Sequence, residues 1–289
     1  MRPWSALLPF SLLGIAAACG SPGDAGDAGS DAPYGHKSFD ASAPIDAPSA
    51  EAKTPWNRMS PHAGEVLAAP HVFVIYVGTQ GVDLSPSFDA YLSWLVGSTD
   101  YWSIMAQYGV GYGALDGSAI IDTATFFPAG TVNSGLVNWY TLDQRVSQII
   151  HFAPGDAGAP DAADDAGDAS TSTVPPIPAA DAYIVFLPNG VNVDLGQEGQ
   201  TCQNVGGYHS YDGQEPYAII PPCRLKITIS HEMAEMVTDP VPGQGWYSDQ
   251  DLNNGGGEIG DLCNWLTHAS GNQVSALWSN KDGDCEPPL

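Results

Sequence analysis

Basic residues are scarce. Lys and Arg together number 8 in 289 residues, against 33 Asp and Glu, which leaves a formal net charge of −25. The few cations do not cluster, so no basic face exists for phosphates and nucleic acid is excluded as a partner. Long apolar runs are also lacking beyond the first residues. No internal stretch reaches the roughly 18–20 apolar residues that a membrane helix needs. No G-x-S-x-G element, Walker loop or dinucleotide fingerprint occurs, so these common signs of hydrolase or nucleotide chemistry are missing. No C-x-x-C pair occurs, which argues against a four-cysteine zinc site. Apolar residues make up 43% of the chain, enough for a real core.

The first nineteen residues have the shape of an export signal: Arg2, an apolar centre from Leu7 to Ile15, then Ala16-Ala17-Ala18-Cys19. This segment resembles a bacterial lipoprotein signal, in which Cys19 becomes the lipidated first residue, although Ala16 stands where Leu is commoner. The alternative is an ordinary secretory signal cut after Ala18 or nearby. Residues 20–55 are rich in Gly, Ala, Asp, Ser and Pro and hold few large apolar side chains. Such a tract buries too little surface to offset its ordering entropy, and it reads as a disordered acidic linker. A similar tract at 154–180 reads as a disordered acidic insertion in one globular domain spanning 56–289, because neither flank alone looks complete. Export agrees with the cysteines. With Cys19 set aside, Cys202, Cys223, Cys263 and Cys285 are an even set for an oxidising compartment. Of the three pairings they allow, the two local loops, Cys202–Cys223 and Cys263–Cys285, are favoured.

Elements can be placed from periodicity. His71–Gly78 and Asp181–Pro188 are β-branched and aromatic runs that read as buried strands, and Ala119–Asp122 as another. A stripe at Phe88, Tyr91, Leu92, Leu95 and Val96, capped by Ser85 or Ser87, reads as a helix. Asp100–Tyr108 and Leu136–His151 read as two more. Strands alternating with helices predict an α/β (or α+β) fold: a mixed, partly parallel sheet with helices.

The chemistry is concentrated in Ser230-His231-Glu232-Met233-Ala234-Glu235, between Pro221-Pro222 and Pro240. Apolar residues at Leu225, Ile229, Met233, Met236 and Val237 predict a helix buried on one side. His231 and Glu235, four apart, then share a face, and Glu232 is offset by about 100°. This is the layout of the metallopeptidase helix H-E-x-x-H, with Glu in the second ligand position, where a carboxylate can also bind zinc. The competing reading is a plain i, i+4 polar pair. Further metal ligands are sought in Glu258 and Asp261, three residues apart, and in His209 beside Gly206-Gly207. Calcium is the weaker cofactor: Asp249-x-Asp251-x-Asn253 has alternating oxygen ligands, but Asn254 and Gly260 stand where a calcium loop needs Gly and Glu. Trp246, Tyr247, Trp265 and Trp278 are candidate aromatic platforms, although such residues are more often core.

These residues, in this order, carry a resemblance. From about His71 to the end, the chain resembles the EXORDIUM-like family, also called phosphate-induced proteins, and bacterial relatives of it. The matching elements begin with Val72–Gly78, Asp100-Tyr101-Trp102 and Asp181–Leu187. Cys202 with Gly207-Tyr208-His209 follows, then Ser230-His231-Glu232-x-Ala234-Glu235 with Asp239-Pro240. Trp246-Tyr247, Glu258-Ile259-Gly260-Asp261-Leu262-Cys263 and Trp278-Ser279 before Cys285 complete the set. The resemblance implies a secreted or wall-associated protein and no particular activity. This chain departs in having fewer cysteines, an acidic insertion and a lipoprotein-like start, so plant growth roles do not carry over.

Two functions are therefore expected. The first is an exported zinc-dependent hydrolase, metallopeptidase-like, held to a membrane by lipid on Cys19. His231, Glu235 and Asp261 or Glu258 bind zinc on a zincin-like helix, with Glu232 as base. The second is a non-catalytic cell-surface or wall-binding module, in which the same residues form a structural polar or metal site. Peptide is the default partner of the first and wall carbohydrate of the second.

Overall fold

A computed structural model describes residues 58–97, 99–151, 175–249, 257–263 and 273–286. The expected signal with Cys19, the linker at 20–55, residues 154–174 of the insertion, Asp251, Asn253 and Trp265 lie outside the described residues.

The chain enters through a short strand, β1 (Ser60–Pro61), and reaches the first expected strand, β2 (His71–Val77). Two helices follow, α1 (Gly81–Gly97) and α2 (Thr99–Met105), then a 3-10 turn at Ala106–Tyr108 and strand β3 (Ala114–Ile121). The short helix α3 (Thr123–Phe126) leads to strand β4 (Leu136–Asn138) and helix α4 (Trp139–Ile150). Beyond the acidic tract come strands β5 (Ala182–Phe186), β6 (Asn192–Asp194), β7 (Tyr208–Tyr211) and β8 (Pro216–Ile220). Helix α5 (Leu225–Thr238) carries the H-E-x-x-E segment. The chain then forms β9 (Trp246–Tyr247), a 3-10 turn at Asp261–Cys263, and the hairpin of β10 (Leu277–Ser279) and β11 (Asp284–Glu286).

The main sheet has the order β3-β2-β5-β8-β7, so strands from both sides of the acidic tract are neighbours in it. Its first four strands are parallel and β7 closes one edge antiparallel. This is the mixed, partly parallel α/β sheet that the sequence predicts. Side chains on a strand alternate between faces. Val72, Val74 and Tyr76 of β2 enter one core with α1, α2, α5 and the C-terminal hairpin. Phe73, Ile75 and Val77 enter a second core with α4 and β6. A strand covered on both faces must be apolar at every position, which explains the unbroken runs in β2 and β5.

Three boundaries differ from expectation. Helix α1 starts at Gly81, a turn before the expected serine caps, because Gly81, Asp83 and Leu84 donate backbone hydrogen bonds to the Gly78 and Gln80 carbonyls. Pro86 is tolerated inside this N-terminal region. Residues 136–138 form a strand paired with β6, not the start of a helix; Asn138 then caps α4 by accepting from the Tyr140 N–H at 3.1 Å. Strand β3 begins five residues before Ala119 because Ala114 onward pairs with His71 and its successors.

Candidate metal centre

Helix α5 begins after Pro221-Pro222 and Cys223, with Arg224 in the left-handed region (φ 48) at its N-cap. It ends where Asp239 folds back. The Asp239 carboxylate accepts from the backbone N–H groups of Gly243 (2.6 Å), Gln244 (2.9 Å) and Gly245 (2.5 Å), which closes the turn after the helix. Every residue from Thr228 to Thr238 is buried. A helix buried all round is expected to be apolar all round. His231, Glu232 and Glu235 break that rule, so their surroundings must compensate them.

Three segments bring further polar groups. Strand β7 supplies His209: Tyr208 turns into the core shared with α4, so period-two alternation sends its neighbour toward α5. His209 therefore sits on the edge strand of the main sheet. The segment 257–263 supplies Glu258 and Asp261, with Leu262 N–H bonded to the Glu258 carbonyl (3.2 Å) across the turn. It lies close to α5 because position 260 is glycine. A Cβ there would fall 2.5 Å from His231 Nδ1 and 2.9 Å from Glu235 Oε1. The approach to β10 supplies Ser275, whose Oγ lies 3.4 Å from His231 Nδ1.

The six predicted side chains meet. His231 Nε2 is 3.0 Å from Glu235 Oε1 and 3.3 Å from Asp261 Oδ1. Asp261 N–H donates to Glu235 Oε1 (3.2 Å) and orients it. His209 Nδ1 lies 3.8 Å from Glu235 Oε2 and 4.0 Å from Glu232 Oε2, and its Nε2 lies 3.6 Å from Glu258 Oε1. Glu258 and Asp261 both face the cluster, but each meets a different histidine. His62, His71 and His151 each pair with a single aspartate instead.

Electrostatics match this crowding. Burial pushes Glu232 well above the usual carboxylate range; Glu235 and Asp261 add to the rise, while His231 opposes it. Burial does the same to Glu258, helped by Glu235 and Asp261. Burial lowers His209 against the upward pull of Glu235 and Asp239. For His231 burial also works downward, but Glu235 and Asp261 beside it win and hold it well above 6.5. The two carboxylates thus favour positive charge at His231.

The donor set fits a divalent ion. His231–Glu235–Asp261 and His209–Glu232–Glu235 are two groups whose ligand atoms lie within 4.8 Å of one another. A tetrahedral zinc with bonds of about 2.1 Å separates its ligand atoms by about 3.4 Å, close to the spacing in the first group. Among the described residues, the buried Oε1 atoms of Glu232 and Glu258 accept no hydrogen bond. Buried polar oxygens are costly without a partner, and a cation supplies one.

The other sequence candidates behave as structure. Trp278 is buried, and its Nε1 donates to Asn280 Oδ1 (3.1 Å). Trp246 packs edge-on against Tyr108, and Tyr247 against His62. A separate cleft of about 220 Å³ opens at the carboxyl ends of β2 and β5, lined by Gln80, Leu84, Phe186 and Leu225 among others, and shares no residue with the cluster.

Both expected disulfides are present, Cys202–Cys223 and Cys263–Cys285, which favours an oxidising compartment. No helix among the described residues is long and apolar enough to cross a membrane. Sequence reasoning missed Ser275 and the Asp239 carbonyl, which bear on the two histidine rings; nothing local marks either. It also passed over Gly260, although a glycine amid candidate ligands is a sign of close backbone approach.

Fold and site together define a mixed α/β protein with a buried histidine–carboxylate cluster suited to a divalent cation. No protein family, curated protein or solved structure matches the chain.

Proposed function

We propose that this chain is an exported, lipid-anchored, zinc-dependent hydrolase. The observation that carries the reading is His231 Nε2 held within 3.0 and 3.3 Å of Glu235 and Asp261, with the buried Glu232 carboxylate in the same cluster. His231, Glu235 and Asp261 are the zinc ligands. When bound, zinc supplies Lewis acidity that polarises a carbonyl and makes water easier to deprotonate. Glu232 accepts the proton from water and later returns it to the leaving group. Ser275 orients the His231 ring through Nδ1, with Nε2 turned toward Glu235 and Asp261, where zinc would be held. Peptide bonds are the substrate class by analogy with H-E-x-x-H enzymes.

Two substitutions test this. Glu235→Ala removes a ligand and should lower both zinc content and thermal stability, since bound zinc at 100 times its Kd stabilises the fold by about 2.7 kcal/mol. Glu232→Gln keeps the shape but not the base; it should keep the zinc held by His231, Glu235 and Asp261 while hydrolysis falls roughly 10²-fold or more. A parent that takes up no zinc refutes the hydrolase.

One observation favours a second reading. His231 is fully buried and Glu235 is 3% exposed, as a structural centre would be. In that reading the chain is a non-catalytic surface or wall-binding module, and Glu232→Gln changes nothing beyond stability. Under either reading we place the chain as a bacterial relative of the EXORDIUM-like family, supported by the order of its motifs. A family member whose matching histidine and glutamate lie apart in its structure would count against kinship. The lipid anchor rests on Cys19 after three alanines. Cys19→Ser should move the protein from the membrane fraction to the soluble one; equal membrane recovery would refute the anchor.

A further inference from the structure

We infer that the cluster holds a second divalent-cation position, formed by His209, Glu232 and Glu235, with Glu235 bridging it to the first. The inference rests on the metal reading above and extends it.

The orientation of His209 is the first argument. Its Nε2 lies 3.2 Å from the backbone carbonyl oxygen of Asp239. A carbonyl only accepts, so Nε2 carries the hydrogen, which leaves Nδ1 as the ring nitrogen that can bind an ion. Nδ1 faces Glu235 Oε2 at 3.8 Å and Glu232 Oε2 at 4.0 Å. The separations are too long for hydrogen bonds. Three ligand atoms within 4.8 Å of one another, turned toward a shared gap, are placed to share a cation. The distances of 3.8 and 4.0 Å are wider than the 3.0 and 3.3 Å of the first group, and an ion would draw these ligands inward.

The second argument is Glu232, which is 1% exposed and whose Oε1 accepts no hydrogen bond among the described residues. It sits against Gly207, where a Cβ would fall 3.2 Å from that oxygen and 2.7 Å from the Ile219 carbonyl. Glycine at 207 thus lets the edge strand close on α5 and leaves Oε1 dry without giving it a donor. The third argument is the division of Glu235. Its Oε1 faces His231 and its Oε2 faces His209, so one carboxylate serves both positions.

One imidazole and two carboxylates suit zinc and similar first-row divalent ions. An ion there engages Glu232, the base of the proposed hydrolysis. The second position therefore holds the enzyme off when the metal is abundant.

The test counts zinc. The full chain is stripped with a chelator and titrated with Zn²⁺ alone, and bound zinc per chain is measured by elemental analysis and calorimetry. Two zinc ions per parent chain are expected, filled in separable steps. One is expected in His209→Ala, in the milder His209→Gln and in Glu232→Gln, each checked for both disulfides and parental circular dichroism. The parent stoichiometry alone decides between one and two if a variant misfolds. A parent with one zinc, kept in His209→Ala and lost in His231→Ala, overturns the second position and leaves the hydrolase standing. One zinc lost in both variants also overturns it, since a single ion would then lie between the histidines. A parent with none overturns both readings together.

Discussion

At position 260 the ligand-bearing turn touches the ligand-bearing helix. Any side chain there meets the His231 ring and the Glu235 carboxylate at less than 3 Å. Gly260→Ala should force the turn outward, at a cost of about 1–3 kcal/mol for overpacking, and carry Asp261 away from His231. Zinc affinity should fall along with the melting temperature. A Gly260→Ala protein that melts early yet binds zinc as tightly as the parent would show that Asp261 is not a ligand. The same residue shows how legibility varied within the site. His231 and Glu235 could be read directly, because helical period alone puts residues four apart on one face. Ser275 could not, because it reaches His231 through a contact 44 residues away that no local pattern encodes.

Among the elements, β2 and β5 were legible because they lie in the middle of the sheet, where burial on both faces leaves only apolar residues. Strands β7 and β8 went unread. They are short, polar residues interrupt the first, and Pro216 and Pro221 bracket the second. Strand β4 was absorbed into the following helix, since nothing in Leu136–Asn138 distinguishes a helical turn from a strand that pairs 56 residues later. Where α4 meets the sheet, it brings one acid into the second core. Tyr208 Oη donates to Asp143 Oδ1 at 3.0 Å. Burial pushes Asp143 up to about 6 from 3.8, with Tyr217 and Tyr208 opposing the rise. A group raised in the folded state contributes stability that is full below its unfolded value and is lost as pH climbs through the folded one. The loss belongs between about pH 3.8 and pH 6. Asp143→Asn keeps an acceptor for Tyr208 and removes the charge. Its stability relative to the parent should rise across that window, by at most about 3 kcal/mol. Urea unfolding at pH 4 and pH 7 measures it, and an unchanged difference between the two proteins would contradict the assignment.

At the scale of the whole molecule, the two disulfides divide the centre between them. Cys202–Cys223 ties the loop before β7 to the residue before α5's N-cap, so it supports the side of the cluster that His209 occupies. Cys263–Cys285 ties the turn of Glu258 and Asp261 to the C-terminal hairpin, which also holds that turn through the Trp278 N–H and the Ile259 carbonyl (2.9 Å). The pairing was readable from loop length alone, but this division was not, because it depends on which segments the sheet brings together. Loss of either bridge should cost about 2–5 kcal/mol. The metal should tell them apart. Cys263→Ser with Cys285→Ser loosens Asp261 and should weaken the first zinc step. Cys202→Ser with Cys223→Ser loosens the strand of His209 and should weaken the second step while sparing the first. Zinc titration of both double variants beside their urea curves tests the division. If the first step survives loss of the Cys263–Cys285 bridge at full affinity while stability falls, the C-terminal hairpin stabilises the fold without shaping the metal centre, and Asp261 is held in place by the helix alone.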